Sequence, residues 1–192
     1  MPTPHHATPF GSSMLETLLH DATPRWLMGQ IASFIALGLF IAGFASKDDR
    51  KLLLILIAAN TAVVAQFALL GSWVASTMTG IVILRILLAR HYHGNYPVMI
   101  SLLVLTIIAA FFTWQGFGDA PALIAGLLGT IAMFLFHGIV LRWWLFTAAF
   151  FWVLSNLVAG AIGGIIAEAL VMIMNLVTIW RLRKDARQHL SL

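Results

Sequence analysis

Three observations in this sequence predict an all-α integral membrane protein. Of the 192 residues, 61% are hydrophobic and only 9% charged, whereas a soluble domain carries about a quarter charged. Seven apolar segments follow one another, each close to the roughly 17–25 residues that a spanning helix needs. The Lys and Arg side chains collect in alternate connections. The fold expected is seven transmembrane helices, two three-helix repeats joined by a linker helix. The lipid bilayer is then the first partner, and the net charge of +4 is a topology signal rather than a nucleic-acid footprint. With no cysteine in the chain, disulfides and thiolate metal sites are excluded.

Residues 1–25 form a tail. Met1–Phe10 is rich in Pro and His, and the pair His5-His6 reads as part of a mobile end rather than a metal site. Ser13-x-x-Glu16 has capping-box spacing, and Met14, Leu15, Leu18 and Leu19 make an apolar face, which predicts a short helix on the membrane surface before Pro24. No basic stretch runs at once into an apolar core, so no cleavable signal peptide is expected.

The spans are predicted at Trp26–Ala45, Leu52–Leu70, Ser72–Ala89, Val98–Trp114, Pro121–Leu141, Trp143–Ala159 and Gly164–Arg181. Gly71 alone separates the second from the third, and Arg142 alone the fifth from the sixth. Fusing two spans would give a helix of about 60 Å, twice the hydrocarbon thickness, so breaks are expected at both positions. Between the sixth and seventh, Gly160, Gly163 and Gly164 predict a glycine-rich turn.

Charge sets the orientation. With the amino terminus outside, the cytoplasmic side holds Lys47, Arg50, Lys51, Arg90, Arg142, Arg181, Arg183, Lys184 and Arg187, nine of the eleven basic side chains. Only Arg25 and Arg85 fall elsewhere. This is a positive-inside pattern that an even number of spans would break, so the carboxyl terminus is expected in the cytoplasm.

The two ends of the chain repeat one order of features. The first triplet has Gly29-x-x-x-Ser33, Asn60, an uncharged turn at Gly71 and Arg90; the last has Gly126-x-x-x-Thr130, Asn156, an uncharged turn at Gly160 and Arg181. The organisation is thus residues 26–90 as one repeat, 91–120 as linker helix and flanking loops, 121–182 as the second repeat and 183–192 as a basic tail. A single linker span lets both triplets enter in the same orientation, a parallel repeat like that of SWEET sugar transporters.

Several motifs carry a family resemblance. The run Trp152-Val153-Leu154-Ser155-Asn156, then Ala159-Gly160, Gly163-Gly164, Glu168 and Met174-Asn175, with Phe67-Ala68-Leu69-Leu70-Gly71 and Arg85, resembles the YgjV-type bacterial inner-membrane proteins from Trp26 onward. Gln66 stands where that pattern suggests a histidine, and Ile83 where it suggests an asparagine. The resemblance implies an inner-membrane location and little chemistry. Its layout is similar to SWEET and PQ-loop transporters, a fold-level analogy.

The candidate site residues are the polar groups inside the spans. Glu168 is the costliest, since a carboxyl in an apolar helix normally faces a cavity or a partner. Glu168, Met172 and Asn175 share one helical face. By helix rise, Glu168 and Gln66 lie about 6 Å below the outer ends of their helices, with Asn156 a little nearer the surface. The three suit either a solute- or proton-binding cluster or interhelical hydrogen bonds that lock the bundle. Asn60 and Asn175 lie near mid-membrane, where amides that donate and accept suit an uncharged polar solute. Trp152, one turn from Asn156, flanks a ligand or fills the core. Arg85 lies about 14 Å deeper than Glu168, so it is expected to reach the cytoplasmic surface or a carbonyl rather than that carboxyl, with contact to the substrate as the alternative. His137 is placed near the inner end of the fifth helix, a further polar contact. His91-x-His93 lacks a third ligand, and no metal or cofactor is expected.

No phosphate loop or nucleophile–base set stands out. The function expected is transport of a small polar solute by alternating access, with proton coupling through Glu168, and not catalysis. A non-transporting receptor or assembly factor on the same fold is the alternative. Each triplet is small for a transport path, which leaves room for a homodimer.

Overall fold

A computed structural model describes residues 23–45 and 49–189, so the expected surface helix before Pro24 lies outside the described residues. The described residues form seven α-helices: α1 (Pro24–Ala45), α2 (Asp49–Leu69), α3 (Trp73–His91), α4 (Tyr96–Thr113), α5 (Ala120–Leu135), α6 (Gly138–Ala159) and α7 (Ile162–His189). A short 3-10 turn, Phe117–Asp119, leads into α5, and no strand occurs among the described residues. Helices satisfy their own backbone groups, which is what an apolar solvent demands.

Five helical stretches are long and apolar enough to cross a membrane: Pro24–Gly43, Tyr96–Thr113, Phe117–Leu135, Gly138–Ala159 and Ile162–Lys184. The apolar parts of α2 and α3, Leu54–Leu69 and Trp73–Ala89, are shorter, and Arg85 lies within the second. The surface is inverted relative to a soluble protein. Ile31, Phe34, Ile107, Phe111, Phe112 and Trp180 point outward, whereas Gln30, Ser33, Asn60, Gln66, Arg85, Asn156 and Asn175 are buried. Apolar outside and polar inside is the arrangement a lipid solvent favours.

Chain reversals fall where glycine takes a left-handed backbone. Gly71 (φ 81°) separates α2 from α3, and Gly160 (φ 69°) ends α6, with its N–H turned back to the Asn156 and Leu157 carbonyls. The break between α5 and α6 is not at Arg142. It lies at Phe136–His137, where Gly138 (φ 58°) reverses the chain, and Arg142 sits inside α6. A positive φ is cheap only for glycine, so the turn goes to the glycine rather than to the charge. Gly163 and Gly164 are likewise not turn residues but belong to α7. Helix α7 also runs on to His189, so most of the basic 183–192 stretch continues the last helix.

Neighbours in sequence pack on one another: α1 on α2, α2 on α3, α5 on α6 and α6 on α7. Two further pairs, α1 with α7 and α3 with α5, join the first three helices to the last three. Helix α4 leans on α3 and α5 alone among the well-packed pairs. The main core cluster includes Phe67, Val74, Met78, Val82, Ala122, Ala125 and Trp152, with Phe67 and Trp152 stacked at 6.0 Å between α2 and α6.

Candidate functional site

A cavity of about 470 Å³ runs between the first three helices and the last three, inside the size range of small-molecule sites. Helices α1, α2, α3, α5, α6 and α7 all contribute to its wall and α4 does not. Leu56, Asn60, Val63, Thr79, Arg85, Arg142, Trp152, Glu168, Asn175 and Thr178 are among its lining. Counted along the helices at about 1.5 Å per residue, it extends from about 9 Å below the Gly71 and Gly160 turns, at Glu168 and Thr79, to about 25 Å, at Arg142. It therefore occupies the half of the bundle nearer the basic connections.

The other half is closed by a polar layer. Gln66 on α2 is fully buried and donates through Nε2 to Asn156 Oδ1 on α6 at 2.8 Å. Asn156 in turn donates to the Trp152 carbonyl. Gln30 on α1 donates to the Gly160 carbonyl at 2.6 Å and accepts from the Ile162 N–H at 3.1 Å, so one amide caps two orphan groups of the α6–α7 turn. Gly163 and Gly164 let this layer form. A Cβ on Gly163 would lie 2.7 Å from the Ser33 carbonyl carbon and 2.9 Å from the Phe34 nitrogen, both backbone; one on Gly164 would run into Asn156 Oδ1 and stand 2.9 Å from Gln66 Nε2. The close approach of α7 to α1 and α6 thus depends on glycine.

The expected trio of Glu168, Gln66 and Asn156 is divided by the structure. Gln66 and Asn156 bond each other in the closed layer and line no part of the cavity. Glu168, one turn beyond Gly164, faces the cavity and has no hydrogen-bond or ion-pair partner among the described residues. A double-mutant cycle on Gln66→Ala and Asn156→Ala is expected to give a coupling energy of about 0.6–1.7 kcal/mol, the range for interhelical polar contacts in a membrane protein. Additive losses of unfolding temperature would show that the bond contributes nothing.

Asn60 and Asn175 do line the cavity, but not as amides free to donate. Each Nδ2 bonds its own helix four residues back, Asn60 to the Leu56 carbonyl at 2.8 Å and Asn175 to the Val171 carbonyl at 2.9 Å. Only NH2 can donate to a carbonyl, so the side-chain oxygens are left over. Asn175 Oδ1 is buried without a partner. The Thr79 and Thr178 hydroxyls also spend their protons on their own helices. Trp152 serves both alternatives, stacked in the core on Phe67 and lining the cavity.

Arg85 reaches back toward the Gly71 end of the bundle. A helical side chain leans toward the amino terminus of its helix, which for α3 is the Gly71 end. Its Nη1 donates to the Gly126 carbonyl at 3.2 Å, an oxygen that also accepts from Thr130, and the guanidinium lies over Gly129, where any Cβ would collide with it. Gly126 and Gly129 sit about 9–14 Å into α5, so the charged end is much closer to the level of Glu168 than the Cα positions suggest. Arg85 Nε has no partner. Of the two destinations expected for this side chain, the carbonyl is the one it takes.

His137 lies outside this cavity. It precedes α6 in the α5–α6 break, exposed, with its ring 4.0 Å from that of His93, because the Gly94 N–H bonds the Phe134 carbonyl and brings the two connections together. Arg142, a topology marker in the sequence, borders the cavity. Its place at a supposed chain break hid that role.

Comparison with known proteins gives the same scale of assignment. A family model described as bacterial inner membrane protein matches residues 27–186. The inner membrane protein YgjV of Escherichia coli (strain K12) is 26% identical over 165 residues, covering 84% of this chain and 89% of that protein. No solved structure matches the chain.

Proposed function

We propose, for a chain that belongs to the YgjV family of bacterial inner membrane proteins, that it carries a small polar solute across the membrane by alternating access. The observation that carries this reading is a cavity lined by Glu168, which bonds no other described residue, and by Arg85 and Asn175, each with one buried polar atom unpaired among the described residues, closed toward one membrane face by the Gln66–Asn156 and Gln30 layer. Uncompensated polar groups in a bundle are costly unless they meet a ligand or water.

Helix packing supports a mechanism of two rocking units. Exchanging α1 with α5, α2 with α6 and α3 with α7 turns the α1–α7 pair into α5–α3, and both pairs pack. The contact pattern is thus what a parallel three-plus-one-plus-three repeat would give, with residues 26–90 and 121–182 as the units and α4 as linker. In this SWEET-like reading the chain crosses seven times, the amino terminus is outside, and the basic connections and carboxyl terminus are cytoplasmic. The cavity then faces the cytoplasm, and rocking would part the glutamine–asparagine layer to open the other face. Glu168 binds solute or carries the coupling proton. Gln66 and Asn156 act as gate rather than as ligands.

Uptake of a panel of labelled polar metabolites into proteoliposomes tests transport. A chain without cysteine permits a sharper version. Thr178 borders the cavity and bonds only its own helix, so Thr178→Cys is expected to transport normally until a bulky membrane-impermeant maleimide is added on the cytoplasmic side, when flux falls at least about tenfold. Addition outside should leave flux unchanged. Labelled protein that still transports at the full rate would remove the cavity from the path, and ligand binding without any flux would favour a receptor.

A further inference from the structure

The chemistry of the cavity narrows the solute, on the reading that the cavity is the solute site. An uncharged polyol needs donors and acceptors in similar number along its path. This wall does not offer that balance. The amide hydrogens of Asn60 and Asn175 and the hydroxyl hydrogens of Thr79 and Thr178 are committed to carbonyls of their own helices. What remains unspent on these lining residues is a set of acceptors, the Glu168 carboxyl and the side-chain oxygens of Asn60 and Asn175. Asn60 and Asn175 are more than nine-tenths buried, and an acceptor so enclosed is costly to leave unpaired.

One strong donor stands against them. Arg85 is itself more than nine-tenths buried, spends Nη1 on the Gly126 carbonyl, and keeps Nε unpartnered. Its guanidinium is fixed by packing over Gly129. No ion pair joins Arg85 to Glu168 among the described residues, although both border one space. Arg142 also borders it, but only half-buried at the cytoplasmic end, where water screens a charge. A buried cation and a carboxyl that face one cavity without meeting leave two complementary positions to be filled.

We propose that the solute is a small zwitterion, its anionic group held by the Arg85 guanidinium and its ammonium by the Glu168 carboxyl, with the side-chain oxygens of Asn60 and Asn175 as further acceptors along the wall. A carboxylate suits the planar guanidinium. Three oxygen acceptors call for N–H donors, so a primary ammonium fits better than a trimethylated one. Trp152 and Val63 supply an apolar wall for the carbon chain between the two charges.

The test uses the purified full-length protein in nanodiscs, titrated calorimetrically with leucine, 4-aminobutanoate, trimethylglycine, butanoate, butylamine and glucose. At least one of the two ammonium carboxylates is expected to bind about tenfold or more tighter than butanoate, butylamine, trimethylglycine and glucose, since each of these loses a charge-assisted contact or its N–H donors. Glu168→Gln should bring the zwitterion down to the level of butanoate, and Arg85→Gln down to that of butylamine. The wild-type ranking decides even where an arginine variant does not fold. Glucose or a singly charged probe binding as well as the ammonium carboxylates overturns the zwitterion, and flux of that probe would keep the transport reading. Binding of none of the six also overturns it. An ammonium carboxylate that binds but is not carried into proteoliposomes leaves the solute class standing and removes transport.

Discussion

Proteoliposomes containing Glu168→Gln are expected to show net solute uptake reduced by about 10- to 100-fold, with the protein still folded and inserted. The substitution keeps the volume of the side chain and removes its charge. Because Glu168 faces the cavity and bonds no described residue, nothing in the folded bundle depends on the carboxylate. Its unfolding temperature should therefore hold or rise, since an unpaired charge among helices costs stability rather than adding it. The loss belongs to the step in which solute or proton meets the carboxyl, where a charge-assisted hydrogen bond is worth about 1.5–3 kcal/mol. Comparing net uptake with solute exchange separates the two. A proton-coupling carboxyl, once neutralised, blocks net uptake and spares exchange; a solute ligand loses both. Uptake unchanged from wild type would take Glu168 out of the mechanism.

Gly163→Ala is expected to be the most damaging single methyl in the bundle, lowering stability by about 1–3 kcal/mol through overpacking. A glycine that crowds only a side chain can be relieved when that side chain turns aside, as Leu70 can from Gly29. Gly163 meets the backbone of α1 at Ser33 and Phe34, so relief requires the whole of α1 to move off α7. That movement would also pull Gln30 from the Gly160 carbonyl and the Ile162 N–H, loosening the closed layer. Thermal unfolding in detergent reads the first effect. A Gly38→Ala control, with nothing near its would-be Cβ, should be neutral or slightly stabilising. Equal unfolding temperatures for Gly163→Ala and wild type would mean that α1 and α7 slide freely. In an alternating-access carrier the two substitutions act at different places, Glu168→Gln on what is bound and Gly163→Ala on how the closed state is held.

The class of protein and most of its helices were legible in the residues themselves. An apolar run of membrane length has to be a helix, because lipid offers its backbone no other partner. The turns at Gly71 and Gly160 were legible as well, Gly71 standing alone between two runs and Gly160 opening a glycine-rich stretch of which it alone turns the chain. The α5–α6 break was not. Phe136-His137-Gly138 looks like part of a span, and the more conspicuous Arg142 drew the boundary six residues too late.

Rotation of each helix and the identity of its neighbours were decided only by tertiary structure. In a soluble protein the apolar stripe of a helix marks its buried face, but helices bathed in lipid are apolar all round, so the stripe is erased. Spacing could place Glu168, Met172 and Asn175 on one face of α7, yet it could not say that Gln66 and Asn156 meet each other while Glu168 meets the cavity. The same limit applied to Arg85. Its depth was measured at the Cα, whereas the long side chain leans toward the start of α3 and finds the Gly126 carbonyl there. Sequence determined how costly each polar group would be, because that depends on residue type and solvent. Which of those costs are met inside the protein, and which wait for a ligand, depends on what stands opposite, and only the packed bundle brings those groups together.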